Sequence, residues 1–304
     1  MEHDQPLPRK SGLPFALGAH LIWGLLPLYL VLFKTVPPFE FVGWRILFTL
    51  PVCAVFVAVA GQSKELWAAL SNRRVLGLLT LSALLIATNW LTYIIAIQEG
   101  HVFAASLGYY INPLANVLAG TLFLGERLSQ RQWAGVTLAA VGVSLLAWDA
   151  LDMLGISLAL AFSFCGYGLV RKLTPVGSLP GLTVETIVLL PLAAGLIGWA
   201  ALTPQGISFG HEWTLSALLA CAGLVTAVPL ILFAVAAQRM DYSVLGMVQY
   251  IGPTMVFVQA FFLSHEPLGT TQVVCFILIW CAIALFVWDL LAKRQAARAA
   301  ARTA

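Results

Sequence analysis

Two charged side chains stand out inside the long apolar segments of this 304-residue chain, Arg45 and Glu185. A charged group at mid-bilayer costs about 2.5–3.5 kcal/mol on insertion scales, so each one calls for a reason. A guanidinium presents a planar set of donors suited to a carboxylate or another polar oxygen. A buried carboxyl can bind a cationic group or take up a proton. The competing reading is local: each side chain satisfies a helix end or backbone carbonyl, or snorkels to its interface. His20 is the only histidine within an apolar segment, and either a proton shuttle or a hydrogen bond to a neighbouring helix would account for it.

Arg45 and Glu185 are 140 positions apart, and that interval is the period of the chain. Tyr110-Ile111-x-Pro113 recurs as Tyr250-Ile251-x-Pro253, and Glu126, Leu128 and Gln132 recur as Glu266, Leu268 and Gln272. Leu50-Pro51 matches Leu190-Pro191, and Trp148-Asp149 matches Trp288-Asp289, with no gap needed from about residue 45 to residue 151. One apolar unit is written twice, and such repeats in membrane proteins point to a transporter with its site between the copies.

The composition sets the class. The chain is 61% hydrophobic and 10% charged, against about 25% charged in a soluble domain. Its apolar runs are each near the ~20 residues that span a bilayer. Ten spans are expected, roughly 12–33, 39–60, 75–97, 102–123, 131–148, 154–170, 180–201, 214–236, 242–263 and 271–292. No secretory leader is expected, because the first apolar run lacks a cleavage site. With the N-terminus in the cytoplasm, every Lys and Arg except Lys34 and Arg45 falls on the cytoplasmic side. Both termini are then cytoplasmic. Five spans per copy is an odd number, so the copies are inverted. The resulting fold class is an all-α integral membrane protein of ten transmembrane helices in two inverted five-helix repeats. Its parts are a tail 1–11, a first repeat 12–148, a second repeat 149–292 and a basic tail 293–304.

The remaining polar residues sharpen the expected site. Arg45 and Glu185 lie off-centre in opposite directions, so their backbones differ in depth by roughly 13 Å at 1.5 Å per residue, which argues for separate roles. Pro113 and Pro253 fall near the middle of their spans, and Pro229 occupies the position equivalent to Asn89. Each proline removes a donor and frees a carbonyl, which bends or opens the helix. Freed carbonyls at that depth must be buried in protein or line a cavity. The expected substrate cavity therefore comprises His20, Trp23, Arg45, Asn89, Tyr109, Tyr110, Asn112, Glu185, Gln249 and Tyr250. Glu185 and His20 are the candidates for proton coupling. Glu126 and Glu266 are expected to complement the helix starts near 131 and 271. Gly135 and Ala139 give the small-xxx-small spacing of close helix packing.

Other function classes fit less well. A channel would show a more polar pore-lining stripe. An intramembrane enzyme would need a catalytic set, but there is no His-Glu-x-x-His, no G-x-S-x-G and no pair of mid-span aspartates. The chain contains no P-loop, which excludes a primary pump of this chain alone. The five cysteines, Cys53, Cys165, Cys221, Cys275 and Cys281, suggest neither disulfides nor a metal site. No cofactor, metal or nucleic acid is expected. The expected partners are a small organic solute and the lipid bilayer, and the oligomeric state is left open. A membrane sensor or assembly subunit without transport is the runner-up.

The residues also carry a resemblance. His20-Leu-Ile-Trp23-Gly24, Trp44-Arg45, Asn89-Trp90, Tyr110-Ile-Asn112-Pro113, Gly125-Glu126-Arg127, Tyr167-Gly-Leu-Val-Arg171-Lys172, Glu185-Thr186 and Gln249-Tyr-Ile-Gly-Pro253 follow one another at set spacings. In that order they resemble the EamA branch of the drug/metabolite transporter superfamily, and within it the RarD group, over roughly residues 12–292. The resemblance implies a permease for small organic molecules in the bacterial inner membrane. The group's common label of chloramphenicol-sensitive protein implies a link to that drug, without naming the physiological substrate.

Overall fold

The computed structural model describes residues 11–148, 151–262 and 269–303, and among these all regular structure is helical. The helices are α1 (Leu13–Leu30, continued by a 3-10 turn Val31–Phe33), α2 (Pro38–Val59), α3 (Ser63–Ser71), α4 (Arg73–Gln98), α5 (Val102–Phe123) and α6 (Gln130–Trp148). They continue with α7 (Leu154–Leu173), α8 (Ser178–Ala201), α9 (Trp213–Arg239), α10 (Tyr242–Gln249), α11 (Ile251–Phe262) and α12 (Thr270–Thr303). Among the described residues, eight helical segments are long and apolar enough to cross a membrane by length and composition: those containing α1, α2, α4, α5, α7, α8, α9 and α12. The protein is therefore a multi-span membrane protein.

Two local details go beyond the ten expected spans. The connection from Gly61 to Arg74 contains a short helix, α3. Asn72 ends it and starts the next helix, its Oδ1 accepting from Arg74 N at 3.0 Å and Val75 N at 3.2 Å, as an N-cap residue does. The segment 242–263 is not one helix but two, broken at Tyr250. Pro253 has no N–H to offer the carbonyl four residues back, and its ring crowds that carbonyl. Thr254 instead closes the turn, donating from N (3.1 Å) and Oγ1 (2.7 Å) to Tyr250 O. The equivalent Pro113 sits inside the uninterrupted α5.

Helices related by the 140-residue interval pack on one another: α2 on α8, α5 on α10, and α6 on α12. Small residues permit the approach. A Cβ at Gly135 would lie 2.9 Å from Ala282 O, and one at Gly246 would lie 2.7 Å from Pro113 O. Ala139 is fully buried in the same α6–α12 core. The chain divides into two compact units, cut between Ile95 and Ala96, Phe162 and Ser163, and Asp241 and Tyr242. The first unit holds α1–α3, most of α4, the C-terminal half of α7, α8 and α9. The second holds α5, α6, the start of α7 and α10–α12. Each unit thus takes helices from both sequence copies.

Glu126 does not serve the helix that follows it. Its carboxylate caps α10, Oε1 accepting from Tyr242 N at 2.6 Å and Oε2 from Ser243 N at 2.8 Å and Ser243 Oγ at 2.5 Å. A free helix start leaves its first N–H groups without partners and carries partial positive charge, so a carboxylate there satisfies both. Glu266 lies outside the described residues. Glu126→Ala should lower stability by about 1–2 kcal/mol, the upper range for a lost cap, read as a fall in the thermal midpoint of the purified protein. An unchanged midpoint would count against this role.

Candidate functional site

In the first unit a narrow cavity of about 10 Å³, room for roughly one water, is walled by α2, α4, α8 and α9. Eight of its lining residues form four pairs at the 140-residue interval: Ile46 with Thr186, Thr49 with Leu189, Ile86 with Thr226, and Trp90 with Leu230. The cavity therefore lies where the two copies face each other. Each pair is mismatched: in three a threonine faces an aliphatic side chain, and in the fourth an indole faces a leucine. A repeat that builds a symmetric frame here lines it with asymmetric chemistry.

The charges follow the same rule. Arg45 and Glu185 are the next equivalent pair. Arg45, half-buried on α2, donates from Nε to Thr226 Oγ1 at 3.2 Å, and its guanidinium lies 4.2 Å over the Trp90 ring. Both of those residues line the cavity. The stacking on the indole is a cation–π contact, the preferred setting for a weakly hydrated guanidinium. Thr49 donates to Arg45 O at 2.6 Å and Gly223 O at 3.4 Å, tying this turn of α2 to α9. Glu185, 1% exposed, also lines the cavity.

Glu185 has a partner that sequence reasoning missed. Arg171, one of the basic residues expected on the cytoplasmic side, is fully buried in the last turn of α7. Its Nε lies 3.5 Å from Glu185 Oε1, and its Nη2 donates to Ser178 O at 2.9 Å. The guanidinium rests on the bare backbone of Gly181, where a Cβ would come within 2.0 Å of Nη1. Ser82 Oγ, from α4, donates a short hydrogen bond to the same Oε1. The Tyr167 hydroxyl lies beside the carboxyl without a hydrogen bond of ordinary geometry. The ion pair recorded for Glu185 is thus with Arg171, not Arg45. The neighbouring Lys172 does reach a helix end: its Nζ donates to Ala237 O (2.9 Å) and Met240 O (2.7 Å), the free carbonyls closing α9.

His20 and Trp23 sit in an aromatic cluster of α1, α7 and α9. The His20 ring is 5.4 Å from Trp23 and 6.1 Å from Phe233, both edge-on, and Trp23 is 5.5 Å from Phe164. Phe233 in turn stacks on Tyr167 at 6.1 Å. The hydrogen bond expected from His20 to a neighbouring helix is instead made within α1, Nδ1 to Ala16 O at 2.7 Å. Asn89 donates to Ser163 Oγ at 3.1 Å, joining α4 to α7, and Pro229 is buried within α9.

The other expected site residues belong to the second unit. Asn112 Nδ2 donates to Ala161 O at 2.6 Å. Asn116, not singled out from the sequence, donates a short bond to Gln249 Oε1 and reaches Asn112 Oδ1 at 3.5 Å. Tyr250 Oη donates to Tyr110 O at 3.3 Å, joining the two copies of the Tyr-Ile-x-Pro motif. Tyr110 is half-buried and Tyr109 exposed. Pro113 and Pro253 lie in this unit as well. The expected residues thus form two groups, one in each unit. Among the described residues no cluster of His, Cys, Asp and Glu has the makings of a metal site.

Comparison with known proteins agrees with a membrane transporter. The profile of the EamA-like transporter family matches residues 10–148. An uncharacterized transporter of Vibrio cholerae serotype O1 is 39% identical over 293 residues, covering 96% of each chain. The protein RarD of Salmonella typhimurium is 41% identical over 280 residues, covering 92% of this chain and 95% of its own. A solved crystal structure, 20% identical, superposes with a TM-score of 0.72 over 94% of this chain and 99% of that one, a likeness of fold. A membrane-embedded, all-helical chain with these relatives along nearly its whole length belongs to the EamA-like transporter family, among its RarD-type members.

Proposed function

We propose that this chain is a secondary transporter of small organic molecules that works by alternating access about the cavity of the first unit. The observation that carries this reading is the cavity lining, four pairs of residues at the 140-residue interval with the Arg45/Glu185 pair next to them. A binding site on the axis between two repeats is the arrangement alternating access uses. In this reading α6 and the broken α10–α11 cross the membrane with the other eight helices. That gives ten spans in two inverted repeats, 12–148 and 149–292, in the bacterial inner membrane with both termini cytoplasmic. The packing of equivalent helices on each other supports it. Arg45 attracts a polar oxygen of the solute towards one end of the cavity, Glu185 serves the other end, and a proton on Glu185 is the simplest coupling.

A flux screen in proteoliposomes, with and without a pH gradient, tests this over amino acids, related metabolites and chloramphenicol. At least one solute is expected to move, and Arg45→Ala is expected to cut its flux at least about tenfold, as for the loss of a charge-assisted contact. If no solute moves, or if flux survives Arg45→Ala unchanged at equal protein levels, the reading fails.

A further inference from the structure

Two carboxylates pin the α2–α8 pair, one at each end. Glu40, fully buried in the first turn of α2, reaches the connection that follows α8. Its Oε1 accepts from Ser208 N at 2.6 Å and from Trp44 Nε1 at 2.8 Å, and its Oε2 accepts from Ser208 Oγ at 2.8 Å. The next residue, Phe209, lays its ring 4.7 Å from Trp44 and 5.4 Å from Phe48. Gly206 and Gly210 flank these contacts at φ 69° and 95°, a backbone conformation that glycine adopts at little cost. Glu65, in the first turn of α3 and so just past the end of α2, reaches the connection that precedes α8. Its Oε1 accepts from the N–H of Gly177, the N-cap residue of α8, at 2.7 Å. A Cβ on Gly177 would lie 2.8 Å from that oxygen, so the bare glycine makes the contact possible.

The two ends are alike in kind but not in origin. At both, a carboxylate from the first half of the chain holds a connection in the second half. The positions equivalent to Glu40 and Glu65 at the 140-residue interval are Pro180 and Gln205, so neither carboxylate is duplicated. The repeat alone therefore does not explain why both ends are tied. Between the ties lies the cavity, with room for roughly one water. Val42, Ile46, Thr49 and Cys53 follow one another along a single face of α2, at spacings of four, three and four residues. Ile46 and Thr49 line the cavity. Val42, towards Glu40, is 1% exposed, and Cys53, towards Glu65, is 0% exposed. The pair is thus shut on both sides of the cavity.

We propose that Glu40 and Glu65 are the two latches on access to this cavity: each releases its connection when its own end of the α2–α8 pair opens, and the structure has both closed. The proposal rests on the transport reading for its purpose, but the latches can be tested apart from flux. Val42→Cys, a near-isosteric exchange, reports the Glu40 end, and the native Cys53 reports the Glu65 end. The purified protein in detergent is treated with a charged, water-soluble maleimide, and the labelled positions are read by peptide mass spectrometry. Glu40→Ala is expected to speed labelling at position 42 by about tenfold or more and to leave Cys53 unchanged. Glu65→Ala is expected to do the opposite. Tenfold is the scale of one charge-assisted hydrogen bond lost from the closed state. Should Glu40→Ala fail to fold, Ser208→Ala, which removes only the Oγ contact, is expected to act in the same direction. Should Glu65→Ala fail to fold, Gly177→Ala, whose Cβ crowds the carboxylate, takes its place. A fixed structural anchor would give labelling that rises at both positions together or at neither, and either result would overturn the proposal. Flux in proteoliposomes separates the two readings. Flux of some solute without end-specific labelling would refute the latches and leave the transporter standing. End-specific labelling without flux of any solute would leave the latches and remove the transport reading.

Discussion

Gly223→Ala is expected to lower stability by about 3 kcal/mol or more, beyond the usual range for one added methyl, and to abolish flux. The added Cβ would lie 2.2 Å from Phe48 O, 2.3 Å from Phe48 C and 2.8 Å from Thr49 N. These are backbone atoms of α2, so no side chain can rotate away, and one whole helix must move off another. Overpacking a tight contact typically costs about 1–3 kcal/mol when side chains alone adjust. The same contact holds the site: Thr49 bridges Arg45 O and Gly223 O, and Thr226, one turn along α9, receives Arg45 Nε. Spreading α2 from α9 therefore also opens the cavity wall and unseats Arg45. Gly195→Ala is the matched control, a glycine within α8 with open space where its Cβ would go. Alanine there is expected to be neutral or slightly stabilising, because glycine is the weaker helix former by about 1 kcal/mol. Thermal midpoints and flux of the two variants check the argument. A Gly223→Ala protein that melts and transports like Gly195→Ala would show that α2 and α9 are not held this closely.

The membrane character and the helical segments were legible because they rest on long-range averages: hydropathy over some twenty residues, and a repeat that needs no gap. The break at Tyr250 was half legible. Pro253 announced a disturbed helix, but the identical Pro113 does not interrupt α5, so proline alone does not decide the outcome. Arg45 and Glu185 were visible as charges in apolar runs. Arg171 was not, because an arginine near a helix end reads as solvated until packing shows otherwise. What buries it is Gly181, and a glycine in an apolar run gives no sign of what lies over it. The cavity lining also leaves a trace in the sequence. The mismatches at 45/185 and 89/229 stand out because they involve a charge and a proline. Those at 46/186, 49/189, 86/226 and 90/230 are quiet exchanges of threonine for aliphatic side chains and of an indole for leucine, yet they line the cavity. Polar residues such as Tyr110, Asn112 and Gln249 drew attention for their chemistry, whereas their hydrogen bonds tie helices together within the second unit.

Arg171→Gln and Glu185→Gln are each expected to destabilise the protein by about 3–5 kcal/mol, the usual cost of leaving one member of a buried pair alone. The double variant is expected to lose clearly less than the sum. Both residues are at most 1% exposed, so neither side chain can recover its hydration when the other is removed. The 3.5 Å separation is looser than a good charge-assisted bond, and the pair is held as much by its surroundings as by mutual attraction. Ser82 fixes the carboxylate, while Ser178 O and the Gly181 backbone fix the guanidinium. Gly181→Ala separates these contributions. It keeps both charges but places a methyl within 2.0 Å of Nη1, driving the guanidinium from its seat. Its cost is expected to approach that of Arg171→Gln, and adding Arg171→Gln to it is expected to cost little more. Denaturation midpoints of the wild type, the three single variants and the two doubles give both coupling energies. Strict additivity between residues 171 and 185 would mean that the two charges do not sense each other. Additivity between 181 and 171 would mean that the guanidinium does not lie where the bare glycine backbone leaves room for it.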